Sequence, residues 1–177
     1  MKEWEFTAKD GRSINIRHAV AADAKLLHAG FEDVIEEGQW LPTFKANSSI
    51  ADWVNWIQKT QRSRDILIVA EIEGEYAGHL TLQPEEWMAS QHVAKLGIIV
   101  QKHMRGYGVG TALMKAAEDA AREEEFHKIV LSTFESNSIA CSLYLTLGYR
   151  EVGRRERHFM MPKGYIAEVL FEKELIS

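Results

Sequence analysis

The sequence predicts an α/β fold: a mixed sheet covered by helices on both faces. Three observations carry that prediction. Strand-like runs dominate the middle of the chain, and strands alternate with helix-period segments in the second half. One apolar run also passes straight through a glycine-rich turn into an amphipathic helix. At 177 residues the chain has the length of one domain with a full hydrophobic core.

The elements follow in order. Trp4–Thr7 and Ser13–Arg17 flank Asp10-Gly11 and read as a β-hairpin. Leu26, Leu27, Phe31, Val34 and Ile35 fall at helical spacing within residues 21–37. A second helix starts near Ser49, with Asp52 placed to complete a capping box and Ile50, Trp53, Val54 and Ile57 as its apolar stripe. Strands follow at 66–73 and 76–83, joined through Glu73-Gly74-Glu75, and a third apolar run covers 94–100. A helix leaves the turn at 105–110 and reaches about residue 125. A strand at 129–134, a short helix at 138–147 and a closing strand pair at 149–159 and 165–175 complete the chain.

Composition narrows the function. Cys141 is the only cysteine, which rules out an intrachain disulfide and disfavours a thiolate zinc site. A net charge of −5 argues against a general nucleic-acid binder. No stretch approaches the roughly 18 to 20 apolar residues of a membrane span. The first residues lack the apolar centre of a signal peptide, so the expectation is a cytoplasmic protein with no membrane partner.

The informative segment is Val100 to Thr111, where Gly106, Gly108 and Gly110 alternate between a strand and a helix start. Glycines let a ligand approach bare backbone, and the N–H groups opening a helix favour an anion such as a pyrophosphate. A Walker A loop requires a lysine after its second glycine, and here Gly110 is followed by Thr111-Ala112. A dinucleotide fingerprint requires a third glycine where Thr111 stands. Both readings fail.

What remains, Arg105-x-x-Gly108-x-Gly110, resembles the pyrophosphate signature of the GNAT superfamily of N-acetyltransferases. Residues 135–149 resemble that family's next motif: Asn137, a helix carrying Tyr144 seven residues on, then Leu147-Gly148-Tyr149. Seven residues is about two helical turns, so Asn137 and Tyr144 share a face. The likeness follows element order from about 12 to 174 and is tight at 96–114 and 129–149. Lys102 departs from it, standing where the family often has proline.

The resemblance implies one N-acetyltransferase domain over 1–177, with a mostly antiparallel central sheet whose middle strands splay apart. It implies acetyl-CoA as cosubstrate, no metal, and a small-molecule or peptide amine as acceptor. Relatives commonly form homodimers. Main-chain groups of Ile98, Ile99 and Val100 would pair with the pantetheine arm, and one N–H would serve as oxyanion donor. Arg105, Gly106, Tyr107, Gly108, Val109, Gly110 and Thr111 would hold the pyrophosphate, with Arg105 adding charge or bracing the loop. Asn137 would contact the pantetheine amide or cap its helix, and Tyr144 would donate to the leaving thiolate.

The residues leave several roles open. Glu71, Glu135, His79 and His92 are conceivable bases, but each reads first as an ordinary exposed or satisfied polar group, and no base is named. Removal of the amine's proton through ordered water is therefore the default. Trp40, Trp53, Trp56 and Trp87 are candidates for an acceptor pocket, though Trp53 and Trp56 also suit a core. Glu36-Glu37 reads as a solvated helix end or an ammonium attractant. The run Arg154–His158 reads as a solvated strand face or a contact for the 3′-phosphate of coenzyme A. A non-catalytic acyl-CoA sensor is the alternative function.

Overall fold

The computed structural model describes residues 2–176. The strands are β1 (Glu3–Thr7), β2 (Ser13–His18), β3 (Ile66–Ile72), β4 (Glu75–Pro84), β5 (Val93–Val100), β6 (Lys128–Phe134), β7 (Arg150–Met161) and β8 (Gly164–Glu174). The helices are α1 (Ala24–Glu36), α2 (Ile50–Thr60), α3 (Val109–Glu123) and α4 (Ser138–Thr146). The sheet runs β1-β2-β3-β4-β5-β6-β8-β7. Every neighbouring pair is antiparallel except β5 and β6.

Strand β3 shows why both faces are covered. Alternation sends Leu67 and Val69 to one side, where they meet Leu27, Trp53 and Ile57 of α1 and α2. It sends Ile66, Ile68, Ala70 and Ile72 to the other side, against α3. The face of α3 that meets the sheet is largely alanine (Ala112, Ala116, Ala117, Ala120, Ala121), which lets the helix lie close. Two residues assigned to apolar stripes point outward instead: Leu26 and Ile50 are exposed. The inward face of α1 includes Gly30, where a Cβ would collide with the Tyr76 ring and the Gln101 amide.

Local chemistry sets the boundaries. Ser49 Oγ accepts from the Asp52 N–H at 3.2 Å, and the Asp52 carboxylate accepts from the Ser49 N–H at 2.7 Å, closing the expected capping box. Gly148, at φ 85°, ends α4, and the next N–H returns to the Tyr144 carbonyl at 3.0 Å.

The feature that makes a site is the β5–β6 junction. These strands pair only through Val93–Lys95 and Lys128–Val130. Beyond that point β5 runs on to Val100 and β6 to Phe134 with no bonds between them. The splay expected between the middle strands is therefore present.

Candidate active site

A cavity of about 550 Å³ fills the gap between β5 and β6. Its walls are the distal half of β5, the turn at 104–110, Leu131–Phe134 of β6, and one face of α4 with Asn137, Ala140, Leu143 and Tyr144. Helix α4 is apolar nearly all round, with Ile139 and Leu145 exposed. Its role as a cavity wall, with Ile139 also in the lining, accounts for part of that composition.

The turn end of the cavity is built from main chain. Gly106 and Gly108 have φ of 85° and 98°, angles that L side chains rarely adopt. Gly108 caps α3 with no side-chain acceptor for the first helical N–H groups. The first backbone bond of the helix is from Ala112 to the Gly108 carbonyl at 3.0 Å, so the preceding N–H groups remain available to an anion. The Val109 side chain turns into the core, and Tyr107 packs against it with Arg12 over its ring. Val109 is among the residues lining the cavity, and Tyr107 is not. Lys9, in the β1–β2 loop, also lines the cavity, its N–H bonded to the Tyr107 carbonyl at 3.0 Å, and sequence reading did not single it out.

Arg105 is not free. Its guanidinium donates to both oxygens of Glu37 at 2.6 and 2.7 Å, its Nε donates to the Val100 carbonyl at 3.0 Å, and its plane lies over Trp40. Trp40 Nε1 also donates to Glu37, at 2.7 Å. Arg105 hydrogen bonding holds the Glu37 carboxyl below its ordinary value. Arg105 thus braces the turn, and Glu37 is neither a solvated helix end nor an ammonium attractant.

The register of β4 with β5 sorts the three main-chain candidates. Gln101 N–H donates to the Ala77 carbonyl at 2.9 Å, so Gln101 is a hydrogen-bonded position. Alternation then directs the peptide groups of Ile99 toward β4 and those of Ile98 and Val100 toward the gap. Ile99 lines the cavity, with its peptide groups taken up by β4. Close strand approach depends on Gly78, where a Cβ would collide with the Ile99 carbonyl.

Asn137 is the N-cap of α4, its Oδ1 accepting from the Ala140 N–H at 3.2 Å. Tyr144 is buried against Tyr149 and Phe171, yet it lines the cavity. Burial pushes its phenol up to about 12, so it stays protonated at neutral pH.

A second cavity of about 400 Å³ opens on the α1–α2 side of the sheet. It shares Leu41, Gly97, Ile98 and Ile99 with the first, so the two meet at the splayed strand. Phe31, Trp53, Trp56 and His79 line it. Trp40 belongs to the larger cavity, and Trp87 is exposed outside both.

Of the four candidate bases only His79 reaches either cavity. Glu71 is bound to Arg17 at 2.6 Å, Glu135 to Arg154, and His92 stacks on His127 near the other end of β5. His79 is buried at the wall of the smaller cavity, and burial pulls its pKa down to about 3, so it is neutral and a weak base. The Arg154–His158 run is exposed, with Arg154 paired to Glu135 and both Arg155 and His158 at Glu168. Among the described residues no cluster of metal-ligating side chains occurs, and no helix is long and apolar enough to cross a membrane.

The larger cavity fits coenzyme A: an apolar slot between unpaired strands leads to a ring of bare N–H groups at a helix start. Comparisons with known proteins agree. The L-amino acid N-acetyltransferase AaaT of Escherichia coli is 29% identical over 100 residues, 56% of this chain and 62% of its own length. The N-alpha-acetyltransferase of Sulfurisphaera tokodaii is 33% identical over 48% of this chain and 56% of its own. The matches thus span only about half to three-fifths of these relatives. In fold, yncA of Salmonella typhimurium, solved with its cofactor acetyl-CoA, superposes with a TM-score of 0.86 at 16% identity, covering 93% of this chain and 95% of that one. A GNAT-family acetyltransferase of Streptococcus pneumoniae gives 0.85 at 23% identity over 91% and 99%. The profile described as Acetyltransferase (GNAT) family matches residues 32–149, and with the splayed sheet and glycine turn already in place, this chain belongs to that family.

Proposed function

We propose that the chain is a single-domain N-acetyltransferase that moves the acetyl group of acetyl-CoA to a primary amine. The observation that carries this reading is the meeting of two cavities at Gly97–Ile99, one ending in bare N–H groups and the other open to an acceptor. Family membership and relatives named as N-acetyltransferases support it.

In this reading the N–H groups from Gly106 to Thr111 and the Lys9 ammonium hold the diphosphate. Main-chain groups of Ile98 and Val100 align the pantetheine arm, and an N–H from this pair donates to the thioester oxygen as negative charge develops. Such a donor typically contributes about 2.7 to 4 kcal/mol in the transition state. The neutral amine forms the new C–N bond, the C–S bond breaks, and the electron pair leaves on sulfur. The Tyr144 hydroxyl donates to that sulfur. Its high pKa keeps it protonated, so it serves the leaving thiolate as a hydrogen-bond donor, and water supplies the thiol proton. The amine's excess proton leaves through water, since His79 is too weak a base to hold it.

Titration calorimetry with acetyl-CoA, followed by thiol release with an amine panel, tests the proposal. Binding and turnover are expected. Absence of heat would remove the whole assignment, and binding without turnover of any amine would leave an acyl-CoA sensor.

A further inference from the structure

The smaller cavity differs from the larger one in its chemistry. Phe31, Trp53, Trp56 and Leu41 supply its bulk, and no lysine or arginine lines it. Several of the polar groups present are already engaged, the exceptions being Trp56 Nε1, which has no partner, and the second ring nitrogen of His79. Trp53 Nε1 donates to Ser48 Oγ at 3.1 Å, and Thr81 Oγ1 turns to the Gly97 carbonyl. Trp56 Nε1 is closed off from solvent, so both indoles offer the cavity carbon surface. His79 Nδ1 is 2.6 Å from the Tyr76 hydroxyl, and its ring stands edge-on to Trp53.

The one charged side chain in the lining is Asp52, which its capping box keeps ionised. A carboxylate or phosphate on the acceptor would find no counter-ion here and a like charge at the rim. A polyamine or aminoglycoside would leave its additional ammonium and hydroxyl groups against carbon. An aromatic or branched alkyl group instead gains offset and edge contacts with the indoles, and an arriving ammonium is attracted by Asp52 and the ring faces.

We infer that the acceptor is a hydrophobic primary amine of the arylalkylamine type, with no anionic group beside its nitrogen. Its body lies against the surface that Phe31, Trp53 and Trp56 give the cavity, and its nitrogen reaches the main chain of Gly97–Ile99, where the two cavities meet. The inference rests on the acetyl-transfer reading and names the acceptor class for it.

The test uses the full chain with acetyl-CoA and five probes: 2-phenylethylamine, L-phenylalanine, L-phenylalaninamide, spermidine and kanamycin. Per neutral amine, kcat/KM for 2-phenylethylamine is expected to exceed that for L-phenylalanine by about 100-fold or more, since a desolvated, unpaired charge is rejected strongly. L-phenylalaninamide, which keeps the shape and loses the charge, is expected to recover most of the difference. Trp56→Ala should raise KM for 2-phenylethylamine by about 10-fold or more, with Trp56→Phe intermediate and acetyl-CoA affinity unchanged. Equal use of L-phenylalanine, or preference for spermidine or kanamycin, overturns the acceptor class and leaves acetyl transfer standing. If no amine is turned over, tryptophan fluorescence of the coenzyme A-saturated chain decides. Quenching by 2-phenylethylamine and not by L-phenylalanine keeps the pocket assignment while acetyl transfer falls; quenching by neither overturns the pocket as well.

Discussion

The Arg105–Glu37 pair gives the sharpest test of how the glycine turn is held. The two residues make charge-assisted bonds of 2.6 and 2.7 Å, with Glu37 12% and Arg105 32% exposed at the side chain. Breaking a fully buried pair costs about 3 to 5 kcal/mol, whereas an exposed pair contributes about 0 to 1. The partial exposure of Arg105 sets this pair between those limits, with a coupling of about 2 kcal/mol. Arg105→Ala and Glu37→Gln should each lower the melting temperature by about 4 to 8 °C, given about 2 to 4 °C per kcal/mol at this chain length. The double variant should be little worse than either single one. Arg105→Ala also loses the stack on Trp40, so it is the more damaging of the two. Glu37 is depressed from an ordinary 4.5, so its contribution is present above that pH and is lost as pH falls through the lower folded value. Acetyl-CoA affinity, measured by calorimetry, should weaken in both variants to a similar degree. If Glu37→Gln instead tightened binding while Arg105→Ala weakened it in a salt-dependent way, the arginine would be a direct phosphate ligand and the brace would be refuted.

Other perturbations address the chemistry and the fold. Tyr144→Phe should reduce thiol release about 10²-fold with acetyl-CoA affinity nearly unchanged, and near-full turnover would dismiss the phenol as a proton or hydrogen-bond donor. Since Tyr144 titrates only near 12, wild-type kcat should show no descending limb from it below about pH 10. Gly108→Ala meets no atom at its Cβ, so its penalty is the φ of 98° alone, about 1 to 2 kcal/mol. Thermal unfolding should register it as a fall of about 2 to 8 °C in melting temperature, at about 2 to 4 °C per kcal/mol, and an unchanged value would mean that the turn relaxes away from this conformation. His79 is depressed from 6.5 to about 3, so the unfolded chain takes up a proton that the folded one refuses. Stability should therefore fall by about 1.4 kcal/mol for each unit that pH drops below 6.5, levelling off near 3. Denaturant titrations from pH 6.5 to 4 should show a shallower dependence in His79→Phe, and identical slopes would show that the histidine is not buried neutral.

Much of this was legible in the sequence because its causes are local. Glycines at 106 and 108 answer to a φ requirement, Ser49 and Asp52 to a cap three residues wide, and Gly148 to a helix stop. The element order follows from the same kind of short-range pattern. What escaped depends on residues far apart. Glu37 and Arg105 are 68 positions apart, so Glu37 looked solvated although it is mostly buried beneath the guanidinium. Lys9 reaches the larger cavity because the β1–β2 hairpin lies beside the turn, the Lys9 N–H bonded to the Tyr107 carbonyl.

The deeper limit is that hydrophobic pattern does not separate a core from a wall. Leu80 on β4 and Ile98 on β5 are opposed in register and read alike as strand residues, yet the first is fully enclosed and the second faces two cavities. The difference arises from the partner strand: β4 is bonded on both sides along most of its length, whereas β5 loses β6 after Lys95. Once that pairing ends, the backbone of Ile98 and Val100 becomes available to a ligand, and their side chains become its surroundings. A site of this kind is made by the absence of a bond between strands rather than by a residue type, so it becomes visible only when the sheet is assembled.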